Sequence, residues 1–333
     1  MNHPFDRLTD EDRELLTAED LPDWLDPMLA TLTHEHFSDP DWVFERKLDG
    51  ERVLAYRSDE GVRLRSRNGT QLDDTYPELH DAVRDASDLA CILDGEVVAF
   101  EGSRTSFSKL QSRLQISDPA QARASDVAVF FFVFDILHLD GRCTRDLPLR
   151  ARKGVLQDAV SYDDPLRWVN HRNEDGEAWL EEACAKGWEG LIAKRAAAPY
   201  HHGRSRDWLK FTCVSRQEFV IGGFTEPEGE RERFGALLIG YHQEGELRYA
   251  GKVGTGYDQR TLEHLGDLLE QRERQNSPFD DGPQESGLHF VAPDLVAEVG
   301  FTEWTRDGRL RHPSYLGLRD DKDPAEVVRE TPS

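Results

Sequence analysis

From Val127 to Leu137 every residue but Asp135 is apolar, and most are β-branched or aromatic. The run is too short and too interrupted to span a bilayer, and it suits a strand buried on both faces. A chain of 333 residues with 38% hydrophobic content can supply such a core, as a globular protein of two ordinary domains. Residues 1–21 alternate acids with leucines and lack both a basic region and an apolar signal core, so they predict a cytoplasmic protein with a solvated leader formed by one short, acidic, amphipathic helix that ends near Pro22. Cys91, Cys143, Cys184 and Cys213 lie far apart with no Cys-x-x-Cys pair. That spacing predicts reduced, buried cysteines rather than zinc ligands or a disulfide framework.

From Trp42 the pattern has period two. Strands are predicted over 43–47, 52–56 and 61–67, the last with Arg63, Arg65 and Arg67 on one face and Val62 and Leu64 on the other. A helix over 77–89 follows, then a strand at 91–94 ending in a turn at Gly95, helices at 150–160 and 177–186, and strands at 190–194 and 208–211. Beyond Cys213 short strands take over at 218–224, 236–241, 247–253 and 295–304, with one helix over 261–274. Their count and spacing predict a five-stranded Greek-key barrel. Gly251-x-x-Gly254-x-Gly256 opens no helix in a βαβ unit and is read as barrel turns. His201-His202 lacks a third ligand at metal spacing and is read as loop.

The formal charge of −24 weighs superficially against a polyanionic partner. Contact with phosphate is local, however, and net charge says nothing about where cations cluster. Lysine is scarce beside arginine, so a lysine where arginine was available invites a reason. Lys47 stands in Glu45-Arg46-Lys47-Leu48-Asp49-Gly50-Glu51-Arg52. An amine attacks phosphorus only when unprotonated, and neighbouring cations or burial must lower its pKa from about 10.4. Alone, Lys-x-Asp-Gly also fits a surface hairpin turn.

With the blocks that follow, the sequence resembles the covalent nucleotidyltransferases, specifically the ATP-dependent DNA ligases. Lys47-x-Asp49-Gly50 matches their first motif, which places Lys47 as the adenylated lysine with Glu45 and Arg52 beside the nucleotide. Ser66-Arg67-Asn68-Gly69 matches the motif whose arginine binds ribose and engages the nick. Asp94-Gly95-Glu96, Phe134-Asp135 and Glu189-Gly190-Leu191 match those supplying an acid, a base-stacking aromatic and a second acid for ribose and metal. Trp208-Leu209-Lys210 matches the α-phosphate motif, toward which Lys194 is also expected to converge, and Arg319-x-Asp321-Lys322 the motif that closes on the triphosphate. Order and spacing agree over roughly 22–325. Thr212 stands where many relatives carry a second lysine.

The resemblance implies an α+β fold: a nucleotidyltransferase domain of antiparallel sheets with flanking helices over 22–213, then an OB-fold barrel over 214–325 and a tail over 326–333. It implies ATP and Mg²⁺, with Mn²⁺ able to substitute, Glu96 and Glu189 as hard oxygen donors, and DNA contact through Arg52, Arg63, Arg65 and Arg67. Arg216–Phe224, Tyr249–Gly256 and His312–Ser314 resemble the ligase module of bacterial end-joining enzymes. The implied activity is repair of nicks or ends in duplex DNA by a stand-alone, monomeric ligase near the nucleoid, with a Ku-like end-binding partner. An RNA ligase, a capping-type guanylyltransferase and a non-catalytic end-binding protein remain alternatives at this point.

Overall fold

The computed structural model describes residues 3–33, 35–213, 215–227, 233–301, 303–305 and 307–330. The chain divides into two compact units that part between residues 213 and 214.

The first unit is built on two facing sheets. Its principal strands are β1 (Met28–Leu32), β2 (Trp42–Arg46), β3 (Glu51–Ser58), β4 (Gly61–Ser66), β5 (Cys91–Glu101), β6 (Val129–Leu139), β7 (Gly190–Arg195) and β8 (Gly203–Thr212). One sheet runs β6-β5-β3-β4, all antiparallel, and the other runs β2-β7-β8-β1, antiparallel but for the parallel pair β8–β1. The longer helices are α1 (Pro77–Ala86), α2 (Phe107–Leu114), α3 (Leu149–Ala159) and α4 (Gly176–Ala185). α1, α2 and α3 bury Leu79, Val83, Leu110, Val155 and Leu156 against the outer side of the first sheet. α4 sets Trp179, Leu180 and Ala183 against Phe44, Leu191 and Phe211 on the outer side of the second. Between the sheets, Leu54, Tyr56 and Phe134 from one meet Met28 and Trp208 from the other. The apolar run is thus covered on both faces, as its composition requires.

In the first unit four departures from the sequence reading stand out. Gly95 is not a turn but the middle of the eleven-residue β5. A Cβ there would lie 2.5 Å from both the Phe131 ring and the Phe132 carbonyl, so glycine permits close approach of β6 where the ladder shifts register. The first twenty residues are not one solvated helix. Pro4–Arg7 is a 3₁₀ turn, Asp10–Glu14 a short helix and Thr17–Ala18 an edge strand. Leu8 enters the core, Arg7 bonds Asp158 and Glu19 grips Arg145. Cys184 and Cys213 are joined in a disulfide, while Cys91 and Cys143 are free and buried. The sequence separation of 29 hides a Cα–Cα distance of 5.3 Å, because Gly190 pairs with Thr212 and brings the end of β8 under α4. Finally, the helix predicted over 77–89 stops at Ala86.

The second unit has the OB-type plan: β9 (Ser215–Thr225), β10 (Leu237–Gln243), β11 (Glu246–Val253), α5 (Gln259–Glu270), β12 (Leu288–Phe301) and β13 (Ser314–Leu318), in the order β11-β10-β9-β12 with β13 on β12. β12 begins seven residues before its predicted start, since an apolar stretch broken by Pro293 and Asp294 pairs with β9 through a register shift.

Candidate nucleotide-transfer site

Lys47 lies one residue beyond β2. Its amide donates to the Gly190 carbonyl at 2.9 Å, and its ammonium is ion-paired with Glu189, whose side chain is 3% exposed. The turn that follows is held from outside. The Asp49 amide donates to Thr105 Oγ1 at 3.1 Å, and Asp49 Oδ2 accepts the Phe107 amide at 3.3 Å, at the start of α2. Gly50 has no room for a side chain because a Cβ would strike the Val97 carbonyl.

β3 then carries Arg52 opposite Glu96 on β5, and the half-buried Glu96 lies opposite Phe132 on β6. By alternation Arg52, Asp94, Glu96, Phe132 and Phe134 share one face of their sheet. The Arg52 guanidinium meets both Asp94 oxygens at 2.5 and 2.6 Å, and lies 4.6 Å from the Phe134 ring and 5.5 Å from that of Trp208. On the facing sheet Ile192 pairs with Lys210 and Lys194 with Trp208, so these four also share a face. Lys210 is half-buried.

Three residues expected at the nucleotide are buried. Glu45 is 1% exposed and is held by Lys153 at 2.5 Å and Lys194 at 2.7 Å. Lys194 is likewise buried, and its amine lies 4.0 Å from both the Phe134 and Trp208 rings. Phe134 is 7% exposed, its ring already in contact with Arg52 and Lys194. Alternation along each strand assigns these residues to the inner face; it does not say which neighbour neutralises them. Lys153, on α3, carried no signal in the sequence at all.

Burial opposes the Glu45 charge, but two ammonium groups outweigh it and hold the carboxyl below its ordinary range. Lys194 shares that carboxylate with a second cation, so burial prevails, with Lys153 adding repulsion, and its amine falls to about 8.

Arg63, Arg65 and Arg67 are each half-exposed while Val62, Leu64 and Ser66 are buried, as period two predicts. Arg63 meets Asp23 at 3.3 Å. Arg67 stands in a turn organised by Ser66, whose hydroxyl accepts the Asn68 and Thr70 amides. In the second unit, Arg319 meets both oxygens of Asp321 at 2.8 and 2.9 Å and Glu298 at 3.2 Å, and Lys322 meets Glu218 at 3.0 Å. Among the described residues, no group of three or more His, Cys, Asp and Glu side chains is placed to hold a metal. Glu96 and Glu189 nonetheless suit Mg²⁺, which takes one or two carboxylates and completes its shell with water and phosphate.

A half-buried lysine held by a buried acid at the end of a strand, with an OB-type unit after it in the chain, fits the covalent nucleotide-transfer class. Residues 27–212 match the model of the ATP dependent DNA ligase domain, and residues 230–322 that of the ATP dependent DNA ligase C terminal region. The chain belongs to the ATP-dependent DNA ligase family. It is 36% identical over 322 residues to the multifunctional non-homologous end joining protein LigD of Pseudomonas aeruginosa, covering 94% of this chain and 37% of that one. With the DNA repair protein LigD of Mycobacterium tuberculosis it shares 39% over 320 residues, 92% of this chain and 40% of that one. With a DNA ligase of Natronomonas pharaonis it shares 31% over 300 residues, 85% of this chain and 52% of that one. The chain thus spans less than half the length of these LigD relatives. Among solved structures, a mycobacterial DNA ligase D complexed with ATP and MES superposes with a TM-score of 0.66 at 37% identity, over 92% of this chain and 98% of that one. Among the described residues, no helix is long and apolar enough to cross a membrane.

Proposed function

We propose that this chain is an ATP-dependent DNA ligase that seals 5′-phosphate/3′-hydroxyl breaks in duplex DNA, at nicks or at ends brought together for repair. The observation that carries this reading is Lys47 itself, half-buried at the end of β2 with its amine against Glu189, in a chain of the ligase family. Lys47 attacks the α-phosphorus of ATP, forming a P–N bond as pyrophosphate leaves. AMP then passes to the 5′-phosphate of the break, and the 3′-hydroxyl displaces AMP to form the phosphodiester. Glu189 holds the Lys47 ammonium in place until it gives up its proton to solvent and attacks as the free amine.

In this reading residues 22–213 form the adenylating domain, preceded by the segment 1–21, and 214–325 the OB domain with its tail 326–333. Arg52 and Arg67 contact ribose and then the nick, Phe134 the base, and Lys210 the α-phosphate. Glu45 and Lys194 act from beneath, as a charged floor that fixes β2 and β7 under the nucleotide. Arg319 and Lys322 act on the pyrophosphate leaving group. Glu96 and Glu189 would hold Mg²⁺ or Mn²⁺, which supplies charge neutralisation at the phosphates. Arg63 and Arg65 contact the DNA backbone. The protein acts as a monomer near the nucleoid, with a Ku-like partner bringing ends.

Incubation with α-labelled ATP and Mg²⁺ should leave label that survives denaturing electrophoresis and is released by acid, as a P–N bond requires. Lys47→Ala should leave none. An unlabelled wild-type band, or a labelled Lys47→Ala band, would overturn the proposal.

A further inference from the structure

Asp94, the acid that holds Arg52, is bonded to a tyrosine that no ligase motif of this chain contains. Tyr200 is 5% exposed and lies in the connection between β7 and β8. Its hydroxyl accepts the Met28 amide of β1 at 2.8 Å and donates to Asp94 Oδ2 at 2.7 Å. An ionised carboxylate can only accept, and an amide can only donate. The hydroxyl proton therefore has one destination, and both polar valences of the oxygen are assigned. Asp94 is fully buried on β5 and receives Arg52 through both oxygens.

The ring is fixed as firmly as the hydroxyl. Its edge meets the Trp208 ring at 5.8 Å and 88°, and the Arg152 guanidinium lies 5.8 Å from its centroid. Arg152 is itself bound to both oxygens of the buried Asp135. Burial, reinforced by Asp94, pushes the phenol well above its usual pKa, so it remains a donor. Burial works against the Arg52 charge, but Asp94 more than offsets it and the guanidinium holds its proton more tightly than usual.

We infer that Tyr200 is a positioning residue for nucleotide transfer: by anchoring Asp94 to β1 it sets the angle at which the Arg52 guanidinium lies against the Phe134 and Trp208 rings. A carboxylate held only by the arginine could swing with it, and the pair would sample several orientations. The hydroxyl ties the acid to a strand of the opposite sheet, so Arg52 is referred to both walls of the site. This inference rests on the proposed roles of Lys47 and Arg52.

The test is single-turnover formation of the labelled Lys47 adduct by the full chain, with folding checked by near-UV circular dichroism. Wild type, Tyr200→Phe, Arg52→Lys and the double variant form a cycle. Tyr200→Phe should slow adduct formation roughly tenfold, the scale of one hydrogen bond to a charged group. Lysine lacks the fork that Asp94 holds. In the Arg52→Lys background, Tyr200→Phe should therefore add no further loss, whereas a tyrosine that merely fills space would lower both backgrounds by the same factor. Multiplicative losses, or a wild-type rate in Tyr200→Phe, overturn the inference. Should Tyr200→Phe fail to fold, Asp94→Asn takes its place in the cycle with the same criterion. Absence of any adduct in wild type would instead overturn the reading of Lys47.

Discussion

Glu45, two residues before the nucleophile, shows how one buried carboxylate can serve two cations unequally. It gains from both Lys153 and Lys194, whereas Lys194 loses more to burial and to repulsion by Lys153 than Glu45 and Asp135 return. The acid therefore keeps its charge easily and Lys194 does not. Folded Lys194 binds its proton less tightly than the unfolded side chain, so between about 8 and 10.5 the unfolded state carries more protons. Its depressed pKa contributes stability that is present above that window and lost as pH falls through about 8. Wild type should accordingly gain stability against urea as pH rises across the window, after the titration common to all variants is subtracted, and Lys194→Met should lose that gain. Equal pH slopes in the two proteins would contradict the assignment. Lys47 differs in kind, since its partner Glu189 stands one residue before β7, the strand paired with β2, and belongs to the proposed chemistry.

At the scale of elements, the β3–β4 hairpin divides its labour by alternation. Val53, Ala55, Val62 and Leu64 face the helix-covered core, while Arg63 and Arg65 lie half-exposed on the opposite face, beside Tyr56 and Leu54, and lead to the turn at Arg67. Such a row suits a phosphate backbone, which rewards cations without regard to base sequence. Arg65→Ala should weaken binding to a nicked duplex and reduce the slope of log affinity against log salt by about one, with little effect on labelling of Lys47. An unchanged slope would remove Arg65 from the interface. The hairpin was legible from period two alone. The packing of α2 on the Lys47 turn was not, because its links run from the Asp49 amide to the Thr105 hydroxyl and from the Phe107 amide to the Asp49 carboxylate, 56 and 58 residues away. Gly95 misled for a related reason: glycine marks close approach of a neighbouring strand as readily as a turn, and only the neighbour decides.

At the scale of the molecule, the charge of −24 coexists with a basic strand face because the acids lie elsewhere or are consumed in pairs. The second unit holds Arg319 and Lys322 in ion pairs with its own Asp321, Glu298 and Glu218, so these cations are oriented before any nucleotide is considered. Lys322→Ala should abolish self-adenylation yet still seal a pre-adenylated nick, since only the first step expels pyrophosphate; equal loss of both would refute that division. The sequence by itself determined the family, the order of the motifs, the arginine face and the position of Lys47, because these are local patterns carried by residue type and spacing. Only the tertiary structure decided that Glu45 and Lys194 neutralise each other with Lys153, that Cys184 meets Cys213, that residues 4–18 dock on the core, and that Tyr200 holds the acid that holds Arg52. Each of these is a contact between residues remote in sequence, and a carboxylate, thiol or hydroxyl bears no local mark of the partner that folding will bring to it.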